Sequence, residues 1–316
     1  WSSDVCSSDL ATVSRLEPDS RQPEGGGYDT AASTLGHLGA PWRTAMDDRE
    51  RAAQAALFDH VRDRPLWPGG VVERQLERLR PRQIVALRDE CPLIYIPVGT
   101  IEWHERHMPV GTDGFTAHGF SVRAAAVTGG VVYPTLYWGL DEYGTTRSGA
   151  SRSGMDIAAD MPLPGNIYRV GHETYGRLLA DAVAECLRTG YRAVALVTGH
   201  GSRGQIHAIH RVANATNEDA GHRCVVAVES FMPAIGLLPD GGGHAGRSET
   251  ALILGLHPEL VDFDEAPPAD VPVIGADDAR PHPVHGALTE ADGARLVQAC
   301  VDGLVARVSE ILRNLP

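Results

Sequence analysis

The sequence predicts an α/β fold, a single domain built on a mostly parallel sheet with helices on both faces. Three observations carry this expectation. The apolar runs Leu93–Val98, Ala193–Val197 and Cys224–Val228 are continuous rather than alternating, as in strands covered on both faces. Segments of helical periodicity alternate with them. The chemically reactive residues gather just past the strands or in Gly-rich turns, where open α/β sheets place their sites.

In chain order, polar and Ala-rich stretches at 44–64 and 81–90 read as helices. The strand 93–98 is followed by a helix over 114–127, with Phe115, His118 and Val122 at helical spacing. Val131–Pro134 reads as a short strand. The Gly-, Ser- and Pro-rich stretch 138–171 reads as one long loop, a length usually reserved for a lid or binding loop. Residues 172–189 form the clearest amphipathic helix, with Tyr175, Leu178, Leu179, Ala182, Val183, Cys186 and Leu187 on one face and Gly190 as its stop. The strand 193–197 leads through Thr198-Gly199-His200-Gly201 into a helix over 204–217. The strand 224–228 is followed by a helix at 247–256, a Pro- and Asp-rich surface stretch at 264–286, and a last amphipathic helix at 289–313.

Composition narrows the function. The chain has 316 residues, 43% of them hydrophobic, with a formal net charge of −13. Such an acidic balance argues against nucleic acid or an anionic membrane as partner. It does not identify a substrate, since an acidic surface is most often simply solvated; a small molecule is the substrate expected from the candidate site residues. Cys6, Cys91, Cys186, Cys224 and Cys300 are widely spread with no Cys-x-x-Cys, which fits a reducing cytoplasm. No apolar run reaches the ~18 residues of a membrane span, and the first residues lack the pattern of a signal peptide. The polar start and its Gly/Pro/Ser-rich continuation make residues 1–40 a disordered or non-native head, leaving 41–316 as the domain.

Three segments concentrate chemistry. The first, Glu102–Asp113, packs Glu102, His104, Glu105, His107 and Asp113 into one loop. The second is Thr198-Gly199-His200-Gly201, and the third is Gly241–Thr250, with His244 and Glu249. Carboxylate and imidazole together suit a divalent transition metal that activates water. Asp113, with two oxygens, can bridge two metals, and the glycines beside His200 and His244 leave room for close approach. Each residue also has an ordinary reading. Glu102 can be a solvated loop acid and His200 a turn histidine, while Asp113 can be a helix N-cap and Glu249 a first-turn helix acid. The pattern alone leaves both open. His107, His118, His172 and His207 read better as structural or surface histidines, and Arg147, Arg152 and Arg203 as surface arginines that can also bind an anionic substrate.

At these residues the chain resembles the creatininase (creatinine amidohydrolase) family. The likeness runs through Pro97-Val98-Gly99-Thr100, His104, His107, Pro109 and Gly111-Thr112-Asp113. It continues in Gly199-His200-Gly201, Gly243-His244-Ala245-Gly246, Glu249-Thr250 and Leu256–Val261. The resemblance implies a three-layer α/β/α domain, a dinuclear site for two divalent ions (Zn, with Mn or Fe as alternatives) and a homo-oligomer, commonly a hexamer. Carried over, Glu102, Asp113 and His200 hold one metal, while His104 and the shared Asp113 hold the other. His244 matches the residue that shuttles a proton to the leaving group. The family enzyme supplies a carboxylate two positions after the histidine that matches His200. Here Ser202 stands there, and Glu249 is the expected replacement. The usual glycine after His104 is Glu105. These departures argue against creatinine itself as substrate. The resulting expectation is a metal-dependent hydrolase of a non-peptide C–N bond, in a cyclic amide or formamide. Hydrolytic C–C ring opening of a cyclic polyol ketone is the alternative on the same metals, and a non-catalytic metal-binding scaffold is the alternative of another class.

Overall fold

The structure is a computed structural model that describes residues 46–167, 169–238, 243–268, 274 and 288–315. The head at 1–40, Cys6, Gly241, Gly242 and most of the 264–286 stretch lie outside the described residues. The elements are α1 (Asp48–Ala56), α2 (Pro81–Glu90), β1 (Leu93–Val98), α3 (Thr112–Thr128), β2 (Val131–Val132), β3 (Tyr143–Thr145), β4 (Ser151–Ser153) and α4 (Met155–Ala159). They continue with α5 (His172–Arg188), β5 (Ala193–Thr198), α6 (Arg203–Ala220), β6 (Val225–Glu229), α7 (Arg247–Leu256) and α8 (Glu290–Arg313).

The main sheet has the order β2-β1-β5-β6, and every pairing in it is parallel. Parallel strands need crossovers, and helices supply them. Side chains alternate across the sheet as the pleat requires. Leu93, Tyr95, Ala195, Val197 and Val226 face a core shared with α3, α7 and α8. Ile94, Ile96, Leu196 and Val225 face a second core shared with α2, α5 and α6. Helix, sheet and helix therefore form the three expected layers. Each fully buried Leu, Ile or Phe contributes about 1.5–3 kcal/mol, and Phe120, Leu179, Ile209 and Leu252 are among those with essentially no exposure.

Register sets the position of the site. Val98 of β1 pairs with Thr198 of β5, which pairs with Glu229 of β6, so these strands end in line. The chain leaves β1 for β2 on one side and later returns to β5 on the other. The crevice between the β1 and β5 ends is thus the switch point at which such sheets bind ligands. Gly99 and Gly199 follow immediately after these ends. A Cβ on Gly99 would lie 2.5 Å from the Gly114 nitrogen, and one on Gly199 would strike the Asp113 carbonyl oxygen. The start of α3 can enter the crevice only because both residues lack side chains.

Two local expectations are corrected. The helix expected over 44–64 is shorter: α1 covers Asp48–Ala56 and a separate 3-10 turn follows at Asp59–Val61. The stretch 138–171 is not one loop. It holds the antiparallel pair β3–β4, with Gly144 opposite Arg152, and then α4. Both strands are polar and short, so they carry no apolar alternation to reveal them. Among the described residues no helix is long and apolar enough to cross a membrane.

Candidate metal centre

Four segments meet at the crevice. Glu102 and His104 come from the loop after β1, Asp113 from the first turn of α3, His200 from the turn after β5, and His244 and Glu249 from the approach to and first turn of α7. Asp113 was open to reading as an N-cap. Instead α3 begins at Thr112 with Gly111 as its cap residue, and the Asp113 side chain is turned into the protein.

The Asp113 carboxylate lies between two histidines. Oδ1 is 3.2 Å from His104 Nε2, and Oδ2 is 3.0 Å from His200 Nδ1. Around one oxygen gather Glu102, whose Oε2 is 3.3 Å from His200 Nδ1, and His200 itself. Around the other lie His104 and Glu249, whose Oε2 is 4.0 Å from His104 Nε2. Glu102–Asp113–His200 and His104–Asp113–Glu249 each offer ligand atoms within 4.8 Å of one another, as does Glu102–His104–His244. All five proposed ligands therefore converge, and Asp113 belongs to both sets.

Their hydrogen bonding suits a metal. Glu102 Oε1, His104 Nε2, Asp113 Oδ2 and His200 Nε2 are buried and make no hydrogen bond among the described residues. Leaving so many buried polar atoms unsatisfied costs about 1–3 kcal/mol each, which an ion would remove. His104 Nδ1 is 3.1 Å from the Glu102 carbonyl oxygen. A carbonyl only accepts, so Nδ1 carries the proton and Nε2 keeps its lone pair for a ligand. Carboxylates and imidazoles in this mixture suit Zn or Mn.

Electrostatics follows the same geometry. Burial pushes the Glu102 carboxyl up, but the His200 and His244 imidazoles outweigh it and hold it down at about 2. Asp113 is also held low, its burial overcome by His104 and His200. Burial pushes His104 down, yet Asp113, then Glu249 and Glu102, raise it to about 9. His200 is raised well above the usual imidazole range by Asp113 and Glu102 despite its burial. Without an ion the site holds protons where positive charge is needed, so metals and protons compete for it.

The third segment is built differently from the first two. The His244 Nε2–H donates to the Trp103 carbonyl, and its ring centroid is 4.4 Å from that of His104. Glu249 Oε2 accepts from the Ala245 nitrogen at 2.6 Å, anchoring the carboxylate at the positive end of α7. The Ser202 hydroxyl is engaged elsewhere, capping α6 by accepting from Gln205 N at 3.4 Å. Glu105 and Ala245 have φ of +56° and +54°, the left-handed region that favours glycine. That conformation fits the glycine which the resemblance implies after His104. Here the Glu105 carboxylate accepts from the Ile274 nitrogen at 2.7 Å. His107 is structural as expected, with Nε2 2.9 Å from Thr250 Oγ1.

Asp141 was not foreseen from sequence. It is buried, and its Oδ1 is 3.8 Å from His200 Nε2. Burial, then the nearby Glu102, pushes its carboxyl up to about 6. Its only sequence signal is the acidic pair Asp141-Glu142 near the head of the 138–171 stretch, in Trp138-Gly139-Leu140-Asp141-Glu142.

The sequence model of the creatininase (creatinine amidohydrolase) family matches residues 77–308. The chain belongs to the creatininase family. Creatinine amidohydrolase of Pseudomonas putida is 27% identical over 247 residues, covering 70% of this chain and 90% of that one. The 3-dehydro-scyllo-inosose hydrolase of Thermotoga maritima is 27% identical over 187 residues, which cover 57% of this chain and only 55% of that protein. A solved structure of a mutant creatininase of Zn–Zn type matches with a TM-score of 0.54 at 25% identity, covering 75% of this chain and 97% of its own. Solved creatininases are named for Mn as well as for Zn. As a member of this family the chain is a hydrolase of amidohydrolase type.

Proposed function

We propose that this chain is a dinuclear metal hydrolase of a small molecule, cleaving a non-peptide C–N bond in a cyclic amide or formamide. The observation that carries the reading is Asp113, whose two oxygens face two histidines belonging to two separate ligand sets. Glu102, Asp113 and His200 would hold one divalent ion; His104, Asp113 and Glu249 would hold the other, with Zn or Mn as the ions and Fe as an alternative. Bound there, such ions supply an activated water and polarise the bond to be cleaved.

The chain's own residues do the rest. Glu102 and Asp113 are held ionised and accept no competing proton near neutral pH. The Glu102 carbonyl fixes the His104 tautomer. His244 stands beside His104 at the partly exposed edge of the site, where a side chain can hand a proton to a leaving nitrogen. In this reading residues 41–316 form one hydrolase domain, acting in the cytoplasm as a homo-oligomer, a hexamer by family habit.

The second reading is hydrolytic C–C ring opening of a cyclic polyol ketone, favoured by the Thermotoga maritima relative. The same metal site would serve to polarise a ketone. A panel of cyclic amides, formamides and cyclic ketoses, assayed with Zn- and Mn-loaded enzyme, separates the two. Turnover of an amide or formamide with release of the amine supports the first. Turnover of ketoses alone transfers the assignment to the second. Metal binding with no turnover across all three classes would favour a non-catalytic scaffold.

A further inference from the structure

His200 poses a question that its ligand role alone does not answer. Its Nδ1 faces Asp113 and Glu102 at 3.0 and 3.3 Å, so Nδ1 is the nitrogen directed at the metal position. A neutral imidazole that offers Nδ1 must carry its proton on Nε2. That nitrogen is buried, makes no hydrogen bond, and faces Asp141 Oδ1.

Asp141 is fixed relative to His200 by a buried polar bridge. Thr198 Oγ1 donates to the His200 carbonyl at 3.0 Å and accepts from the His200 nitrogen at 3.1 Å. Gln205 Nε2 donates to the same hydroxyl at 3.0 Å, and Gln205 Oε1 accepts from the Leu140 nitrogen at 3.0 Å. The backbone leading into Asp141 is thereby tied to the backbone of His200. Thr198 and Gln205 are both fully buried, where such bonds hold best.

The other side of Asp141 is held by Arg169, whose Nη2 is 3.2 Å from Asp141 Oδ2. Arg169 Nη1 also donates to the Ser153 carbonyl at 2.9 Å and lies 3.9 Å from Asp156 Oδ2. Asp156 accepts from Leu163 N and from the Asn166 amide, and Asn166 Oδ1 accepts from the Trp103 nitrogen at 2.7 Å. One polar chain therefore runs from His200 through Asp141, Arg169, Asp156 and Asn166 to the loop that carries Glu102 and His104.

We propose that Asp141 is a positioning residue for His200: its carboxylate receives the Nε2–H, fixes the tautomer that leaves Nδ1 for the metal, and is itself held by Arg169. The inference rests on the metal-hydrolase reading above. It requires the 3.8 Å gap to His200 Nε2 to close to a charge-assisted hydrogen bond of about 2.8 Å when an ion is bound.

The test is a chelator-competition titration of Zn and of Mn with the full chain and three variants. Removing such an outer partner weakens metal binding about 10–100-fold. Asp141→Ala should show that loss at one of two sites and leave the other unchanged. Asp141→Asn, which keeps an acceptor oxygen, and Arg169→Lys, which keeps the charge, should each lose less. A purely structural role would lower the melting temperature of Asp141→Ala but leave the metal affinity of the folded protein intact, and that result overturns the inference while sparing the metal-hydrolase reading. A metal-loaded crystal structure with His200 bound through Nε2 overturns it as well. Wild-type protein that takes up no metal overturns the metal reading, and this inference with it.

Discussion

Asp113 reaches both candidate ligand sets because α3 starts inside the crevice between β1 and β5, and the glycine after each strand permits that approach. Gly99→Ala puts this to the test. The added Cβ would lie 2.5 Å from Gly114 N, 2.7 Å from Gly114 Cα and 2.8 Å from the Asp113 carbonyl carbon, all of them backbone atoms that cannot rotate away. Ordinary van der Waals separation is about 3.5 Å, so the first turn of α3 must retreat by about 1 Å. Overpacking of this kind costs about 1–3 kcal/mol, or roughly 2–10 °C in melting temperature for a domain of this size. The functional cost is larger, because a misplacement of about 1 Å at a catalytic group can cost ~100-fold in rate. The assay is metal content, melting temperature and kcat/KM measured together, with Gly69→Ala as a control, since a Cβ there meets nothing within 4 Å. Gly99→Ala protein with full metal content and unchanged kcat/KM would refute the reasoning: the crevice would then not set the position of Asp113.

Other predictions follow from the same geometry. Glu249→Gln should leave one ion per chain where the parent holds two, measured by elemental analysis; unchanged content removes Glu249 from the ligand set. His244→Ala should keep both ions and lose turnover, and loss of metal instead would show that its role is ligation. In the metal-free protein His104 is raised from 6.5 to about 9, so its contribution to stability is complete below pH 6.5 and is lost as pH rises through 9. At about 1.4 kcal/mol per unit the effect is on the order of 3 kcal/mol, and His200 adds to it with the same sign. Chelated protein should therefore melt at lower temperature at pH 9 than at pH 6.5, while the metal-loaded protein does not follow; a chelated protein with flat or rising stability over that range would contradict the proton-holding site.

What was legible in the sequence was what periodicity and residue chemistry encode locally. The runs of β1, β5 and β6 are apolar at nearly every position, and α5 carries its stripe through Tyr175, Leu179, Val183 and Cys186, so a sheet covered by helices on both faces could be read directly, while the strand order could not. Glu102, His104, Asp113, His200, His244 and Glu249 stood out in the sequence as three clusters of metal-binding residue types, but their pattern alone left the ordinary readings open, and the resemblance to the family supplied their proposed roles. What escaped depends on neighbours far along the chain. Asp113-Gly114 has the local chemistry of a cap, and only Gly111 and the crevice make it a first-turn residue facing inward. The pair β3–β4 is held by backbone bonds between polar residues, which leave no apolar pattern. Asp141 gains its meaning from Arg169 and His200, to which no local motif connects it.

Metal content per chain, by elemental analysis of purified protein reloaded with Zn or Mn, tests the central claim most directly. The shared Asp113 predicts two ions per chain, falling to none on chelation and returning on reloading. A single ion per chain, or none after reloading, would contradict the dinuclear account.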